Sequence, residues 1–386
     1  MGNYDVIIVG AGPAGISTVL HLQQIAPELA SRTLVLEKAR FPRNKLCGGG
    51  VTPDAERILN RLGLDVTEVP HVDLDWAHFL FEGKGVSFRF AENYAFRVIH
   101  REELDAWLVR KARERDLTIL EETPVERIVP DGDRVDVVTP GGTYRARVVV
   151  GADGAHSVVR RAIPDHRRPP YACAMVLWAS PRESSSHLPD VGYFDFFPIS
   201  RGVPGYVWDF PILIGGERMR SWGIANFAIG PRESRRRMLS LLAEEMARHG
   251  YRLEDYRVYG ESVPVFRPDG PFSAPHILLT GDAVGVEGVF GEGIGPALGQ
   301  GAIAAKAIVR AFETGDFSFR EYRAEVLRSK VGISVRRRTS LAPFLYSLRR
   351  PSLQRFLWWR CGRIAEWVVK TFLFGWTTWG EDRRAL

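Results

Sequence analysis

Cysteine is scarce: the 386 residues hold three, Cys47, Cys173 and Cys361, and these form neither an even disulfide framework nor a C-x-x-C metal or redox pair. No apolar run reaches the roughly 18–20 residues that cross a bilayer. The start, MGNYDVIIVG, lacks the basic n-region of a secretory signal. Myristoylation is set aside because Val6 stands where Ser or Thr is needed. These absences predict a soluble or peripheral protein of the reducing cytoplasm. No RNP, zinc or helix-turn-helix signature is present, so no nucleic-acid partner is expected. No His, Cys and acidic residues stand at metal-ligand spacing, so no metal is expected, and His100 and His156 read as structural. Nothing repeats at a solenoid period.

What is present is ordinary globular composition, 45% hydrophobic and 25% charged, in a length that predicts two domains or one with an insertion. The net charge of +6 is unevenly spread. Between Phe319 and Lys370, 13 Lys and Arg face three acids, a net of +10 that leaves −4 for the remainder. Five of the ten tryptophans lie in the last 29 residues.

Periodicity sketches the elements. Tyr4–Val9 reads as a buried strand, followed by a helix from Pro13 to Ile25 and a second strand, Thr33–Glu37. Thr52 and Pro53 form an N-cap and N1 pair opening a helix through Arg61. Helical spacing recurs over His100–Arg115, and short strands with turn signals over Leu117–Val150. Tyr171–Ile229 is strand-like and aromatic, with a helix expected over Arg232–His249. His276–Thr280 is again an apolar strand before a Gly-rich turn and helix.

G-A-G-P-A-G at Gly10–Gly15 lies directly between the first strand and its helix. Gly10 permits the tight turn, Gly12 admits a pyrophosphate to the backbone, and Gly15 allows close helix–strand packing. The helix N-terminus adds partial positive charge. Glu37 ends the second strand 22 residues after Gly15, where an acid accepts from a ribose diol. Three further motifs follow strands or open helices: G-A-D-G-A-H-S-V-V-R at Gly151–Arg160, T-G-D-A-V-G at Thr280–Gly285 and G-E-G-I-G at Gly291–Gly295.

This set resembles that of FAD-dependent enzymes with the para-hydroxybenzoate hydroxylase-type fold, which are related to flavin-dependent halogenases. The resemblance implies an α/β chain: a Rossmann-type FAD-binding domain over 1–165 and 265–315, an inserted antiparallel-sheet substrate domain over 166–264 that part of 65–100 joins, and a helical C-terminal segment over 316–386. It places Asp282 on the ribityl chain, Gly291–Gly295 at the isoalloxazine carbonyl or pyrophosphate, and Arg101 on the FAD. The full cofactor set it implies is Gly10, Gly12, Ala14, Gly15, Glu37, Lys38, Cys47, Gly48, Arg101, Val125, Asp153, Asp282, Gly291, Gly293 and Ile294.

Within that fold, F-P-R-N-K-L-C-G-G-G-V at Phe41–Val51, G-Y-V-W-D-F-P at Gly205–Pro211 and the Gly281–Ile294 motifs resemble the geranylgeranyl reductase family. The likeness runs from about Tyr4 to Arg310, dense in the FAD domain and thin in the substrate domain. It departs at Trp222–Asn226, which has one Gly where a G-x-G is expected, and at V-E-G-V-F, which lacks a Pro. The resemblance implies an FAD-dependent oxidoreductase that saturates a prenyl lipid, a geranylgeranyl-type chain or a polyprenyl quinone. Such an unactivated alkene needs a hydride, a proton and exclusion of water. Tyr206, Trp208, Phe210, Tyr193, Phe194, Phe196 and Phe197 are candidates for a dry aromatic channel, against the plainer reading of sheet-core aromatics on two faces. Cys47, Tyr206 and Trp208 are the candidate channel or proton-relay residues. Glu287 and Glu292 are candidate proton donors if buried, although a solvated loop carboxylate is the simpler reading of Glu287.

The alternative enzyme class is a flavin monooxygenase or halogenase acting on a hydrophobic aromatic or carrier-bound substrate. The GWxWxIP run of tryptophan halogenases is absent, as is the Pro-rich stretch usual after GD in hydroxylases. A non-catalytic electron-transfer flavoprotein is a third reading. No second GxGxxG offers an NAD(P)H site, so the external donor is a transiently bound NAD(P)H, a ferredoxin-like protein or a quinol. Leu353, Leu357, Cys361, Ile364, Val368 and Phe372 recur at helical spacing with Arg355, Arg363 and Lys370 opposite, predicting one basic amphipathic helix and peripheral contact with a membrane's inner face. Arg336, Arg337 and Arg338 are an alternative holder of a diphosphate or phospholipid head group.

Overall fold

A computed structural model describes residues 2–89, 93–164, 169–227, 235–288, 290–370 and 374–379. Val6 to Val9 are apolar without alternation, which suits a strand covered on both faces. Asn3–Val9 is such a strand, paired in parallel with Gly142–Gly151 on one side and Thr33–Leu36 on the other. Thr118–Leu120 extends the sheet in parallel past Thr33–Leu36, and Ile277–Leu279 lies parallel beside Val149–Gly151. The hairpin of Arg127–Asp131 and Arg134–Thr139 and the short Ser273–Ala274 complete eight strands. The chain leaves this sheet at Gly151 and re-enters it at Ser273, and Ile277–Leu279 then lies next to the strand it left.

A second sheet has seven strands in the order Tyr259–Pro264, Tyr171–Ala179, Glu217–Asn226, Gly205–Ile214, Val191–Asp195, Trp76–Phe81 and Lys84–Phe88. Its pairings are antiparallel except Val191–Asp195 with Trp76–Phe81. A third, three-stranded sheet joins Gly50–Val51, Arg97–Ile99 and His71–Asp73. The architecture is the expected α/β type, a largely parallel sheet carrying the Gly-rich turn and a mainly antiparallel sheet carrying the aromatics.

Two helices set the geometry that follows, Pro13–Ile25 and Ile294–Thr314. They approach closely because Gly301 faces Ser17: a Cβ at Gly301 would stand 2.8 Å from the Ser17 side chain. Ser17 Oγ donates to the carbonyl of Leu298 at 2.6 Å. Pro53–Arg61 begins as expected, with Thr52 Oγ1 accepting from the Ala55 amide. The helix expected from Arg232 is described from Arg235 to Arg248, and its first residues lie outside the described ones.

The C-terminal segment corrects an expectation. The single amphipathic helix is two, Pro351–Arg360 and Gly362–Val368, broken at Cys361. The helix seats Gly362 against Val86, where a Cβ would come within 3.1 Å of its side chain. The predicted stripe therefore does not share one face: Leu353 and Ile364 are exposed while Leu357, Cys361 and Val368 are half-buried, and Phe372 lies outside the described residues. Further on, the chain folds back. The buried Asp54 carboxylate accepts the amides of Gly375, Trp376 and Thr377 at 2.7, 3.3 and 3.0 Å, and the Thr377 hydroxyl at 2.5 Å. Trp376 covers Gly299, at the start of Ile294–Thr314.

Asp54→Ala removes the acceptor for all four groups. It should lower the unfolding free energy by about 3 kcal/mol and expose the C-terminal segment to limited proteolysis; an unchanged urea midpoint and digestion pattern would show that the tail is not held there.

Candidate functional site

The ends of Asn3–Val9, Gly142–Gly151 and Ile277–Leu279 bring three Gly-containing turns together. Gly15 is forced by packing, since a Cβ there would lie 1.9 Å from the Gly10 carbonyl oxygen. Gly12 is different: a Cβ would meet only Arg43 Nη2, at 3.6 Å, so its surface opens onto space. The helix that follows has no side-chain cap, and neither has Ile294–Thr314, which begins after Gly293. Ala14 and Ile294 are buried in the first turns of these helices. Two uncapped helix N-termini thus present partial positive charge within one region. The Gly281 turn sits between them, with its amide donating to Gln300 Oε1 at 3.0 Å and a Cβ there lying 2.6 Å from that of Ala14.

Glu37 is 4% exposed and accepts from the Ala11 amide at 2.9 Å and the Ala39 amide at 3.0 Å. It braces the glycine turn. Lys38 points to solvent, and Val125 is half-buried just after Thr123, whose amide donates to the Glu37 carbonyl at 2.8 Å. Arg101 is buried rather than solvated, and makes a two-pronged pair with Asp105 at 2.9 and 3.0 Å. Burial opposes its charge, but Asp105, Cys47 and Asp282 outweigh that and raise its pKa. Asp282 is half-buried, and its carboxylate has no hydrogen-bond partner among the described residues. Burial raises its pKa, against the pull of Lys45 and Arg101. Asp153 is turned the other way: its Oδ2 accepts the amides of Val158 and Val159 at 2.6 and 3.2 Å, while its Oδ1 is buried without a partner.

The aromatic sheet meets this region at two glycines. A Cβ at Gly48 would stand 3.2 Å from the Phe210 ring and 3.3 Å from Trp208 Nε1. Gly291, at φ +85°, leaves 2.0 Å between its missing Cβ and the Tyr206 hydroxyl, which donates to the Phe290 carbonyl at 3.2 Å. Cys47 Sγ accepts from the Gly49 amide at 3.4 Å. Tyr206, Trp208 and Phe210 alternate onto one face, and Phe194 joins them with ring centroids 5.3 Å from Tyr206 and 4.9 Å from Phe210. Phe196 stacks on Trp358 at 4.6 Å. Tyr193 and Phe197 do not belong to this face: Tyr193 stacks on His187 at 3.6 Å, and Phe197 lies under Arg248.

The loop before Ile294 overturns the simpler reading of Glu287, which is 3% exposed. Its Oε1 accepts the amides of Phe290 and Gly291 at 2.9 and 3.0 Å. Arg338, offered as a head-group ligand, is instead fully buried and paired with Glu292 at 2.6 Å.

A family profile described as an FAD binding domain matches residues 3–249. The chain belongs to that family. Its relatives include a menaquinone reductase of Mycolicibacterium smegmatis, 30% identical over 322 residues that make up 78% of this chain and 75% of that protein. Digeranylgeranylglycerophospholipid reductase of Methanoculleus marisnigri is 27% identical over 366 residues, 90% of this chain and 87% of that one. Among solved structures, a geranylgeranyl bacteriochlorophyll reductase-like protein from Thermoplasma acidophilum has a TM-score of 0.79 at 22% identity, over 96% of this chain and 94% of that one. The flavin-dependent halogenase CmlS has 0.63 at 24% identity, over 90% of this chain and 63% of that one. These structures share the fold. The protein is an FAD-dependent oxidoreductase.

The site fits FAD on three counts of its own: the open surface of Gly12, two uncapped helix N-termini, and the unpartnered Asp282 carboxylate. The sequence reading missed Arg43 and Asp105. Arg43 lies 3.1 Å from Asp105, 3.8 Å from Glu37 and beside Gly12, so a guanidinium borders the opening there. The spacing R-E-E-L-D signals the Arg101–Asp105 pair, but nothing local foretells Arg43 joining it.

Gly12→Ala should preserve the fold, because the added methyl meets no backbone, yet fill the opening and cut the flavin-to-protein ratio at least tenfold. Asp282→Ala should lower the same ratio; a full complement of flavin in both variants would remove these residues from the FAD site.

Proposed function

We propose that the protein reduces carbon–carbon double bonds in a prenyl lipid, a geranylgeranyl-type chain or the side chain of a polyprenyl quinone. The observation that carries this reading is the buried aromatic face of Tyr206, Trp208, Phe210 and Phe194 meeting the Gly48 and Gly291 turns. The relatives named for menaquinone and for a digeranylgeranyl lipid support it. In this reading the FAD is held by the Gly10–Gly15 turn, Ala14, Glu37, Lys38, Cys47, Gly48, Arg101, Val125, Asp153, Asp282, Gly291, Gly293 and Ile294, with Arg43 at the phosphates. Reduced FAD supplies the hydride. The protein's part is to exclude water and hold a proton at hand. Tyr206, 5% exposed, is kept protonated by burial, with Glu287 and Cys47 adding to the rise, so its hydroxyl remains a donor at the edge of Gly291. Trp208 and Phe210 lie against Gly48 and hold a hydrocarbon chain beside Cys47.

The substrate's source points to a bilayer. No helix among the described residues is long and apolar enough to cross a membrane. Six of the ten large apolar side chains exposed among those residues cluster between 344 and 367: Phe344, Leu353, Phe356, Trp359, Ile364 and Trp367. Exposed Arg349, Arg350, Arg360 and Arg363 are interspersed with them along the chain, the chemistry of an interfacial contact with anionic lipid. The electron donor in this reading is NAD(P)H or a ferredoxin-like protein.

The deciding experiment is anaerobic. FAD reduced with dithionite and freed of excess reductant should be reoxidised by a geranylgeranyl lipid or menaquinone, giving a product heavier by two hydrogens per step. Flavin that stays reduced until air enters would instead favour the monooxygenase class. Trp208→Ala should slow the reoxidation at least tenfold and leave reduction by dithionite unchanged. Replacing Phe356 and Ile364 together by Ser should weaken sedimentation with anionic liposomes at least tenfold, since each buried apolar side chain is worth about 1.5–3 kcal/mol; undiminished sedimentation would place the contact elsewhere.

A further inference from the structure

Three charged side chains are packed at the turn before Ile294–Thr314: Glu287 at 3%, Glu292 at 5% and Arg338 at 0% exposure. Arg338 Nη1 donates to Glu292 Oε2 at 2.6 Å, and Thr52 Oγ1 donates to Glu292 Oε1 at 2.6 Å. Among the described residues, the hydrogen bonds of Glu287 are those from the Phe290 and Gly291 amides. One guanidinium cannot neutralise two carboxylates, and an uncompensated charge in a dry site is unfavourable, so the cluster keeps a proton near neutrality. Burial raises both carboxyls. Glu292, with a direct ion pair and a hydroxyl, is the one held ionised, which leaves the proton to Glu287. Burial pushes Glu287 up to about 7, with Arg338 and the two amides pulling it down and Glu292 adding to the rise. Of the other groups near it, Tyr206 from the aromatic sheet and Tyr346 from the helix Lys330–Ser347 are kept neutral by burial. Cys47 acts on Tyr206, and Asp54 on Glu292.

We propose that Glu287 is a proton-positioning residue, taking up one proton when the FAD is reduced and surrendering it when a double bond reoxidises the FAD. This rests on the placement of the flavin at Gly291–Ile294 given under Proposed function. Reduction brings negative charge to that turn, and negative charge nearby favours the neutral acid; by linkage, protonation of Glu287 favours reduction equally. Two electrons from the external donor thus enter with two protons, one on the flavin and one on Glu287. On reoxidation the hydride goes to one alkene carbon. The Glu287 proton reaches the other by way of the Tyr206 hydroxyl, which stands on the same Phe290–Gly291 pair. Oxidised flavin, the Glu287 carboxylate and a saturated bond remain.

The test is a redox titration of the FAD-loaded protein without lipid, over a range of pH. In the wild type, the midpoint potential should fall with a slope of one proton per two electrons on the acid side. It should then steepen to two protons as the pH passes the Glu287 value of about 7. Glu287→Gln keeps an oxygen for the two amides and should hold the one-proton slope throughout, while Glu287→Asp should restore the steeper region. Identical slopes in wild type and Glu287→Gln overturn the proposal. Should Glu287→Gln lose its FAD, proton uptake by the wild type during reduction just above that pH decides, two per two electrons supporting the proposal and one overturning it. Because no lipid is present, two-proton uptake without prenyl reduction rejects only the function proposed above, and prenyl reduction with one-proton uptake rejects only this inference.

Discussion

Everything at the candidate site depends on the contact between the helices Pro13–Ile25 and Ile294–Thr314. It is made through small residues, Ser17 against Gly301 and Leu298, and Gly301 against the Ala14 carbonyl, with the Gly281 turn packed on Ala14 beside it. Larger side chains would separate the two helix N-termini, and with them the Gly12 opening from the Asp282 turn. The two uncapped helix ends and Glu37, which braces the first glycine turn, share one region because this contact holds them there. The aromatic sheet is brought in at the same point, through Gly48 and Gly291, whose missing side chains let Trp208, Phe210 and Tyr206 reach the edge of the nucleotide site.

The C-terminal segment is part of that assembly as well as a surface. Its helix Lys330–Ser347 supplies Arg338 to Glu292, and its last described residues close over Asp54 and Gly299. The contacts with Glu292 and Gly299 land on the beginning of Ile294–Thr314 or the turn before it, and that with Asp54 on the helix Pro53–Arg61. The exposed apolar patch on the following helices is therefore linked, through one packed element, to the loop that carries Glu287.

Local pattern was enough to place the Gly10–Gly15 turn, Glu37 and the Asp282 turn just after strands, because the backbone there is set within a few residues. The same holds for Thr52, whose cap is local. Glu287 was legible as a candidate but its burial was not: the groups that act on it include Arg338, 51 residues on, and Tyr206, 81 residues back, and sequence neighbours carry no sign of either. The C-terminal stripe failed for another reason. Its periodicity runs through Cys361, but the helix breaks there, where Gly362 packs against Val86, and the two pieces do not share one face. Tyr193 and Phe194 show the limit within one strand, where alternation assigns opposite faces but composition alone does not say which face meets the glycines.

The return of Ile277–Leu279 to the strand it left, and the bond from Ser17 to Leu298 across 281 residues, bear on how the chain is made. Loop-closure entropy must be met before such distant contacts form, and folding slows as their sequence separation grows. On the ribosome the first helix emerges long before its partner, so the nucleotide-binding half waits, incomplete, while the aromatic sheet is synthesised. An early strand with unpaired edges and a half-covered apolar face is prone to aggregate during that interval.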